Sequence, residues 1–445
     1  MAKETPASLQ NITIYQVYVR NHGPNGTFAD VQADLDRIRA MNVDVVYFMP
    51  IHPIGQVNKK GSLGCPYSIT DYRAVNPEYG TEEDFRALVD AIHARGMQVM
   101  IDVVFNHTAH DAVYIHEHPD WYHTDENGQP FTTVPAWSDI IDLKHPNDEL
   151  WEYLIGSLTH WVAFGVDGFR CDVASLLPVA FWRRAREACA KVKADTIWLT
   201  ESVHMNFVRE RRRKGLFALS DGELYQAFDM SYDYDIWPIW DAAAAGKVPV
   251  ARYLEMLQMQ DSIYPENFIK MRCVENHDQI RTHDRTGRDL NKTIAWTAFM
   301  AFNKGPFFVY AGQESLETKR TSLFDIDKVD WGDYALTDLI TRLNALKKDP
   351  AQIHGLLTLL AADPAIQAAW TYGEASLYGI FNVNGKAGEV SVQLPDGDYR
   401  DLLSDAVISV RDGQCELPAG AFIIRFAASQ PLRQWVSMLM ESHIE

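Results

Sequence analysis

The chain of 445 residues is short of cysteine and of positive charge. Its five cysteines, Cys65, Cys171, Cys189, Cys273 and Cys415, are odd in number and scattered, with no Cys-x-x-Cys pair. That argues against a disulfide framework or a cysteine zinc site, and it fits a reducing, cytoplasmic compartment. Cys171 and Cys273 lie inside apolar runs, where small buried thiols are common. Only 41 basic residues face 60 acidic ones, for a net charge of −19. Such a field repels nucleic acid and anionic membrane, so neither is an expected partner. The one dense basic stretch, Arg209–Lys214, contains Glu210 and reads as a solvated helical face. The opening segment MAKETPASLQN lacks the apolar core of a secretory signal, and no run of about eighteen apolar residues occurs anywhere. Neither export nor membrane insertion is therefore expected. Internal repeats and low-complexity segments are also missing.

What remains is an ordinary apolar fraction of 47%, enough for a full core. The length suits a barrel plus an accessory module. Strand-like and helix-like runs alternate. The predicted strands are Ile12–Arg20, Val43–Pro50, Gln98–His107, Gly168–Val173, Ile197–Val203, Glu223–Tyr234, Ile269–Asp278 and Pro306–Ala311. Helices are predicted between them, two opened by Thr-x-x-Asp caps at Thr27 and Thr81, and one, Asp148–Phe164, closed by Gly165. Eight such strand–helix units predict a TIM (β/α)8 barrel, an α/β fold whose parallel sheet has no open edge. The connection after strand three, residues 108–147, is too long for a simple loop and reads as a small inserted domain. From residue 353 to 445 the pattern changes to short alternating runs separated by Asn-Gly, Asp-Gly and Pro-Ala-Gly turns, predicting an all-β sandwich closed by a terminal helix over Gln430–Glu445. The barrel is then assigned to 1–107 and 148–352.

Four predicted strands end in polar and charged residues: Asp102–His107 (DVVFNH), Gly168–Asp172 (GFRCD), Trp198–Glu201 (WLTE) and Val274–Asp278 (VENHD). A strand of Val, Ile, Phe and Leu is built for burial on both faces, so carboxylates and histidines at its last residues are not core material. In a parallel barrel such residues converge on one end, where barrel enzymes keep their chemistry. The convergent set is Asp172, Glu201 and Asp278, with His107, Arg170 and His277 around them. Three carboxylates, one arginine and two histidines suit cleavage of a glycosidic bond, which needs a proton donor and a second carboxylate as nucleophile or base. Arg170 lies two residues before Asp172, on the same face of an extended strand, where a guanidinium is expected to hold that carboxylate ionised as a nucleophile. The apolar approach to Glu201 is expected to desolvate it and keep it protonated, as a general acid requires. Asp278 and the histidines are placed to grip sugar hydroxyls.

With these segments and Gly64–Gly80 (GCPYSITDYRAVNPEYG), the sequence resembles the α-amylase superfamily of glycoside hydrolases from Ile12 to about Ala427. The resemblance implies a barrel, a small insert after strand three and a C-terminal β-domain. By motif, it implies Asp172 as nucleophile, Glu201 as acid/base and Asp278 as transition-state stabiliser. It implies that Arg170, His107 and His277 contact sugar or position the nucleophile, and that Tyr67 is an aromatic platform under the sugar. The family often carries calcium between barrel and insert, and Asn106 and Asp142 match two of its ligands. Hard oxygen donors suit calcium, but two positions do not make the six to eight ligands it takes. The chemistry itself requires no cofactor. Val173–Leu177 (VASLL) lacks the Lys-His pair that many starch-cleaving α-amylases show after the nucleophile, and Gly64 lacks an acidic side chain that closes the pocket in some exo-acting members. The expected activity is retaining hydrolysis of α-1,4 bonds in maltodextrins, an α-glucan oligosaccharide substrate. A transglycosylase, sugar isomerase or α-1,6-glucosidase using the same residues stays open.

Overall fold

The computed structural model describes residues 5–428 and residue 432. The chain divides into two compact units. The first is built mainly from Ile14–Asp235 with Arg320–Asp330, and the second from Ala7–Thr13, Ile236–Lys319 and the chain from Trp331 onward.

In the first unit, β1 (Thr13–Val17), β2 (Val45–Phe48) and β3 (Gln98–Val103) are followed by an antiparallel pair, β4 (His107–Ala109) with β5 (Ile140–Asp142). Then come β6 (Gly168–Cys171), β7 (Ile197–Thr200) and β8 (Met230–Tyr232). The six strands β1, β2, β3, β6, β7 and β8 lie side by side in that order, all parallel. Parallel neighbours require crossovers, which helices supply here. Both predicted Thr-x-x-Asp caps form: Thr27 with Asp30 opens Phe28–Ala40, and Thr81 with Asp84 opens Glu82–Ala94. Helix Asp148–Phe164 ends on Gly165 at φ +116°, a left-handed turn that suits glycine.

The second unit holds β9 (Lys270–Met271) and β10 (Phe307–Tyr310), joined by a parallel bridge from Arg272 to Phe307. Its helices include Val250–Ile263, Leu290–Phe302 and Thr337–Leu346. Then β11 (Leu356–Ala361), β12 (Ile366–Thr371) and β13 (Ser376–Phe381) begin an all-β region. It continues with β14 (Glu389–Ser391), β15 (Gly397–Arg400), β16 (Val407–Val410), β17 (Gln414–Glu416) and β18 (Ala421–Phe426). Four strands form an antiparallel sheet in the order β11-β12-β13-β18, and β14–β17 and β15–β16 form two ribbons. Sheet and ribbons share one apolar core that includes Tyr378, Ile380, Val390, Val410 and Ile424.

Several predicted strands are shorter than expected. The first stops at Val17, and Val19–His22 turns helical. Strand three stops at Val103, so Asn106 and His107 lie beyond it and His107 begins the pair with β5. Glu223–Tyr234 contributes only Met230–Tyr232, because Ser220 and Glu223 form a capping box that starts a helical turn at Asp221–Leu224. The strand expected over Ile269–Asp278 pairs as a ladder only at Lys270–Met271. The expected terminal helix over Gln430–Glu445 lies outside the described residues apart from residue 432.

Candidate active site

Parallel register sets the geometry. Asp102 of β3 is the Cα partner of Arg170 of β6, and both are fully buried. The ladder continues one residue past each strand end: Asp172 N–H donates to Val103 O (2.9 Å), and Glu201 N–H donates to Cys171 O (3.0 Å). The backbones of both carboxylates are thereby fixed at the ends of adjacent strands, 7% and 8% exposed.

Arg170 joins three acids. Its Nη1 donates to Asp102 Oδ1 and Oδ2 (2.9 and 3.0 Å) and to Asp172 Oδ1 (2.7 Å). Its Nη2 lies 3.1 Å from Glu201 Oε2, an ion pair whose angle does not make a hydrogen bond. Tyr47 and Tyr67 both donate their hydroxyls to Asp102 Oδ2, at 2.6 and 2.8 Å. Arg170 also lies 5.6 Å from the Tyr67 ring centre.

One guanidinium cannot balance three carboxylates out of water, and Asp102 and Asp172 keep their protons more tightly than usual. Burial pushes Asp102 up to about 6, against the pull of Arg170 and the tyrosine hydroxyls. Burial also pushes Asp172 well above the ordinary carboxylate range, with Arg170 opposing and Glu201 adding to the rise. This runs against the expectation that Arg170 holds Asp172 ionised, because the guanidinium is shared with Asp102 and Glu201.

Glu201 is oriented from a strained backbone. Val173 N–H donates to Glu201 Oε2 at 2.8 Å. Val173 sits at φ +34°, ψ +42°, a left-handed conformation that is costly for a β-branched residue and clusters at functional sites.

His107 is 5% exposed, and burial lowers its pKa, so the ring is neutral against the opposing pull of Asp142 and Asp139. Asn106 Nδ2 lies 3.2 Å from its Nδ1, and the ring also bonds the Tyr67 backbone. If the Asn106 amide donates, Nδ1 is the acceptor and the ring proton sits on Nε2. Trp137, half-buried, lies beside it at 5.8 Å between ring centres. Trp121, the other tryptophan of the insert, is 2% exposed and stacks on His118 at 4.0 Å, so it anchors the loop core.

The first unit thus brings together Tyr67, His107, Arg170, Asp172 and Glu201. His277 and Asp278 belong to the second unit, just past β9. There His277 Nε2 is 3.2 Å from Asp278 Oδ2, and Asp278 N–H donates to Asn276 Oδ1 at 2.9 Å. The other acid of that segment, Glu275, is consumed internally by Arg281 Nη1 (2.7 Å) and Thr282 N–H (2.6 Å). The Asp278 side chain remains 37% exposed.

For calcium, the two matched positions can be tested on their surroundings. Asp142 Oδ2 already accepts from Thr133 N–H (2.7 Å) and Oγ1–H (2.6 Å), while its buried Oδ1 has no partner among the described residues. The Thr133 hydroxyl in turn accepts from Arg211 Nη1 at 3.1 Å, which brings a cation to the place. Among the described residues no group of three or more His, Cys, Asp or Glu could hold a metal. Asn106 and Asp142 fall short of the six to eight oxygens calcium takes.

Sequence reasoning missed Asp102, Tyr47 and Val173. Asp102 carried a readable signal, a carboxylate inside the apolar run Met100–Phe105 (MIDVVF). Gly64 gains a different meaning: its φ is +83°, and a Cβ would meet Ile54 Cγ2 at 2.8 Å. The backbone requires glycine there, so its lack of an acidic side chain says nothing about the cleft.

The alpha amylase catalytic domain model matches residues 8–132 and 115–380, and that of the bacterial alpha amylase C-terminal domain matches residues 357–424. The chain belongs to the alpha-amylase family and is an enzyme of that family, with its barrel and C-terminal all-β architecture. Among solved structures, an alpha-amylase from Lactobacillus plantarum is 39% identical with a TM-score of 0.90, over 95% of this chain and 100% of that one. The noncanonic maltogenic alpha-amylase AmyB from Thermotoga neapolitana is 31% identical with a TM-score of 0.83, over 95% and 100%. The alpha-1,4-glucan:maltose-1-phosphate maltosyltransferase of Rhodospirillum rubrum is 29% identical over 75% of this chain and 50% of that protein. The alpha-amylase MalA of Haloarcula japonica is 26% identical over 92% of this chain and 61% of its own length. The chain thus spans about half the length of the first curated relatives it matches. No helix among the described residues is long and apolar enough to cross a membrane.

Proposed function

We propose that the protein is a retaining α-glucan hydrolase that cleaves α-1,4 bonds of maltodextrins. The observation that carries this reading is the pair of carboxylates, Asp172 and Glu201, at adjacent strand ends around one guanidinium. In the first step an Asp172 oxygen attacks the anomeric carbon while Glu201 gives its proton to the departing glycosidic oxygen. In the second, Glu201 takes a proton from water, whose oxygen attacks the same carbon and frees Asp172. Tyr67 stacks on the sugar, and Arg170 and His107 position the nucleophile and the ring. By the motif they match, Asp278 is proposed as the transition-state stabiliser and His277 as a sugar-contacting residue. No step uses a metal. Five cysteines, all buried and none joined in a disulfide, support a reducing cytoplasm where such an enzyme meets short dextrins.

A second reading is favoured by the maltosyltransferase relatives: the same covalent intermediate, with a glucan hydroxyl as acceptor in place of water. Product analysis with maltohexaose separates them. Hydrolysis is expected, with one new reducing end per bond broken and only shorter products. Oligosaccharides longer than maltohexaose with no net gain of reducing ends would establish transfer instead.

A further inference from the structure

The insert after β3 holds two tryptophans that are packed in opposite ways. Trp121 is 2% exposed and lies among the rings of Tyr114, His118 and Tyr153, as a loop anchor should. Trp137 is half-buried, and its ring neighbours among the described residues are His107 and Phe207.

The turn that carries Trp137 is held by groups other than its indole. Trp137 N–H donates to Val134 O at 2.8 Å, and Ile140 N–H donates to Trp137 O at 3.2 Å. Lys60 Nζ donates to Ala136 O at 2.8 Å and pairs with Asp139 Oδ1 at 2.7 Å. Ser68, next to Tyr67, donates its hydroxyl to Asp139 O at 2.8 Å. The backbone on both sides of Trp137 is thus tied to the segment that carries Tyr67. The indole is presented on a rigid support, which lowers the ordering cost of packing it against a ligand.

Its place relative to the cleaved bond follows from Glu201. A group that protonates the departing oxygen has the departing sugar against it. Phe207 comes six residues after Glu201, in the first turn of helix Met205–Arg213. Its ring lies 6.4 Å from that of Trp137, with 28° between the planes. That separation is well beyond the ~3.5–4.0 Å of carbon–carbon contact, so neither ring eclipses the other. His107, 5.8 Å from Trp137, is close enough to Glu201 to feel its charge. The segment after the nucleophile, Val173–Leu177, is buried throughout and offers the departing sugar no exposed side chain. The two aromatic rings are what the Glu201 side has to offer.

We propose that Trp137, flanked by Phe207, is the stacking platform for the sugar on the leaving side of the cleaved bond. A pyranose face carries a patch of C–H groups that packs on an aromatic ring, and both side chains supply such a surface. The platform makes efficient cleavage depend on a leaving group that is itself a sugar. It rests on the reading of Asp172 and Glu201 as a glycosidase pair.

Initial rates on two substrates test it. Maltohexaose has sugar on both sides of the bond, whereas α-maltosyl fluoride has only fluoride on the leaving side. In Trp137→Ala, kcat/KM for maltohexaose is expected to fall about tenfold or more, and at least fivefold further than for α-maltosyl fluoride. Trp137→Tyr keeps a ring and should recover most of the loss. A tryptophan that only supports the insert would cost both substrates alike. Should Trp137→Ala lack the native melt, Phe207→Leu decides, with the larger loss again expected on maltohexaose. The platform is overturned by a folded variant that loses equally on both substrates, or whose maltohexaose cleavage is untouched. Those outcomes leave Asp172 and Glu201 in their roles. A native chain inactive on both substrates would instead remove the glycosidase reading, and the platform with it.

Discussion

Replacing Asp172 with asparagine is expected to leave a folded protein whose turnover of maltohexaose falls by a factor on the order of 10⁴ or more, because the covalent step is lost. The fold should survive for an electrostatic reason. Arg170 keeps Asp102 and Glu201, and the asparagine oxygen still accepts from Arg170 Nη1. The substitution also removes a carboxylate whose pKa burial raises, so at neutral pH the variant should melt no lower than the native protein. The sign follows from linkage: a raised folded pKa means that folding favours the protonated form, and ionisation above it costs stability. The same shift governs activity. A nucleophile must be ionised, so kcat/KM should fall on the acid side at a pH above the ordinary carboxylate range. Near-native turnover by pure Asp172→Asn would remove Asp172 from the mechanism, whereas a variant without an ordered melt by circular dichroism would contradict the electrostatic account of its stability.

Glu201→Gln should be crippled in a substrate-dependent way. On maltohexaose the loss of the proton donor is expected to cost about 10²–10⁴ in rate. On α-maltosyl fluoride, whose leaving group needs little protonation, formation of the glycosyl-enzyme should be slowed at least tenfold less. Hydrolysis of that intermediate then lacks its base, so added azide should accelerate turnover and yield a glycosyl azide. The amide oxygen can still accept from Val173 N–H, which keeps the side chain in place. Equal losses on both substrates, with no effect of azide, would give Glu201 another role.

Much of this site was legible because charge at the end of an apolar strand has few structural explanations. Arg170, Asp172 and Glu201 stand out in that way, and their pairing follows from the parallel register. Asp102 was less visible because it sits inside β3, where its role depends on facing Arg170 across the ladder. Val173 could not be read at all, since nothing in the residue type announces φ +34°. His107 was read as a strand end, although β3 stops at Val103 and His107 pairs instead with Asp142 in β4–β5. Helix caps such as Thr81 with Asp84 are local chemistry and were readable residue by residue. In the C-terminal region the short alternating runs and their turns were legible as all-β, while the strands Ile366–Thr371 (IQAAWT) and Gly397–Arg400 (GDYR) carry little signal of their own. Alanine, glycine and aspartate are poor strand formers, and those strands exist because neighbours cover them: Ala368 lies opposite Gly379.

Double displacement through Asp172 makes one stereochemical demand, that the product keep the configuration of the bond cleaved. Proton NMR during rapid cleavage of maltohexaose at high enzyme concentration reads it directly. The α-anomer should emerge first at the new reducing end, with the β-anomer growing only at the rate of mutarotation. A β-anomer formed first would mean direct attack by water and would contradict a glycosyl-enzyme on Asp172.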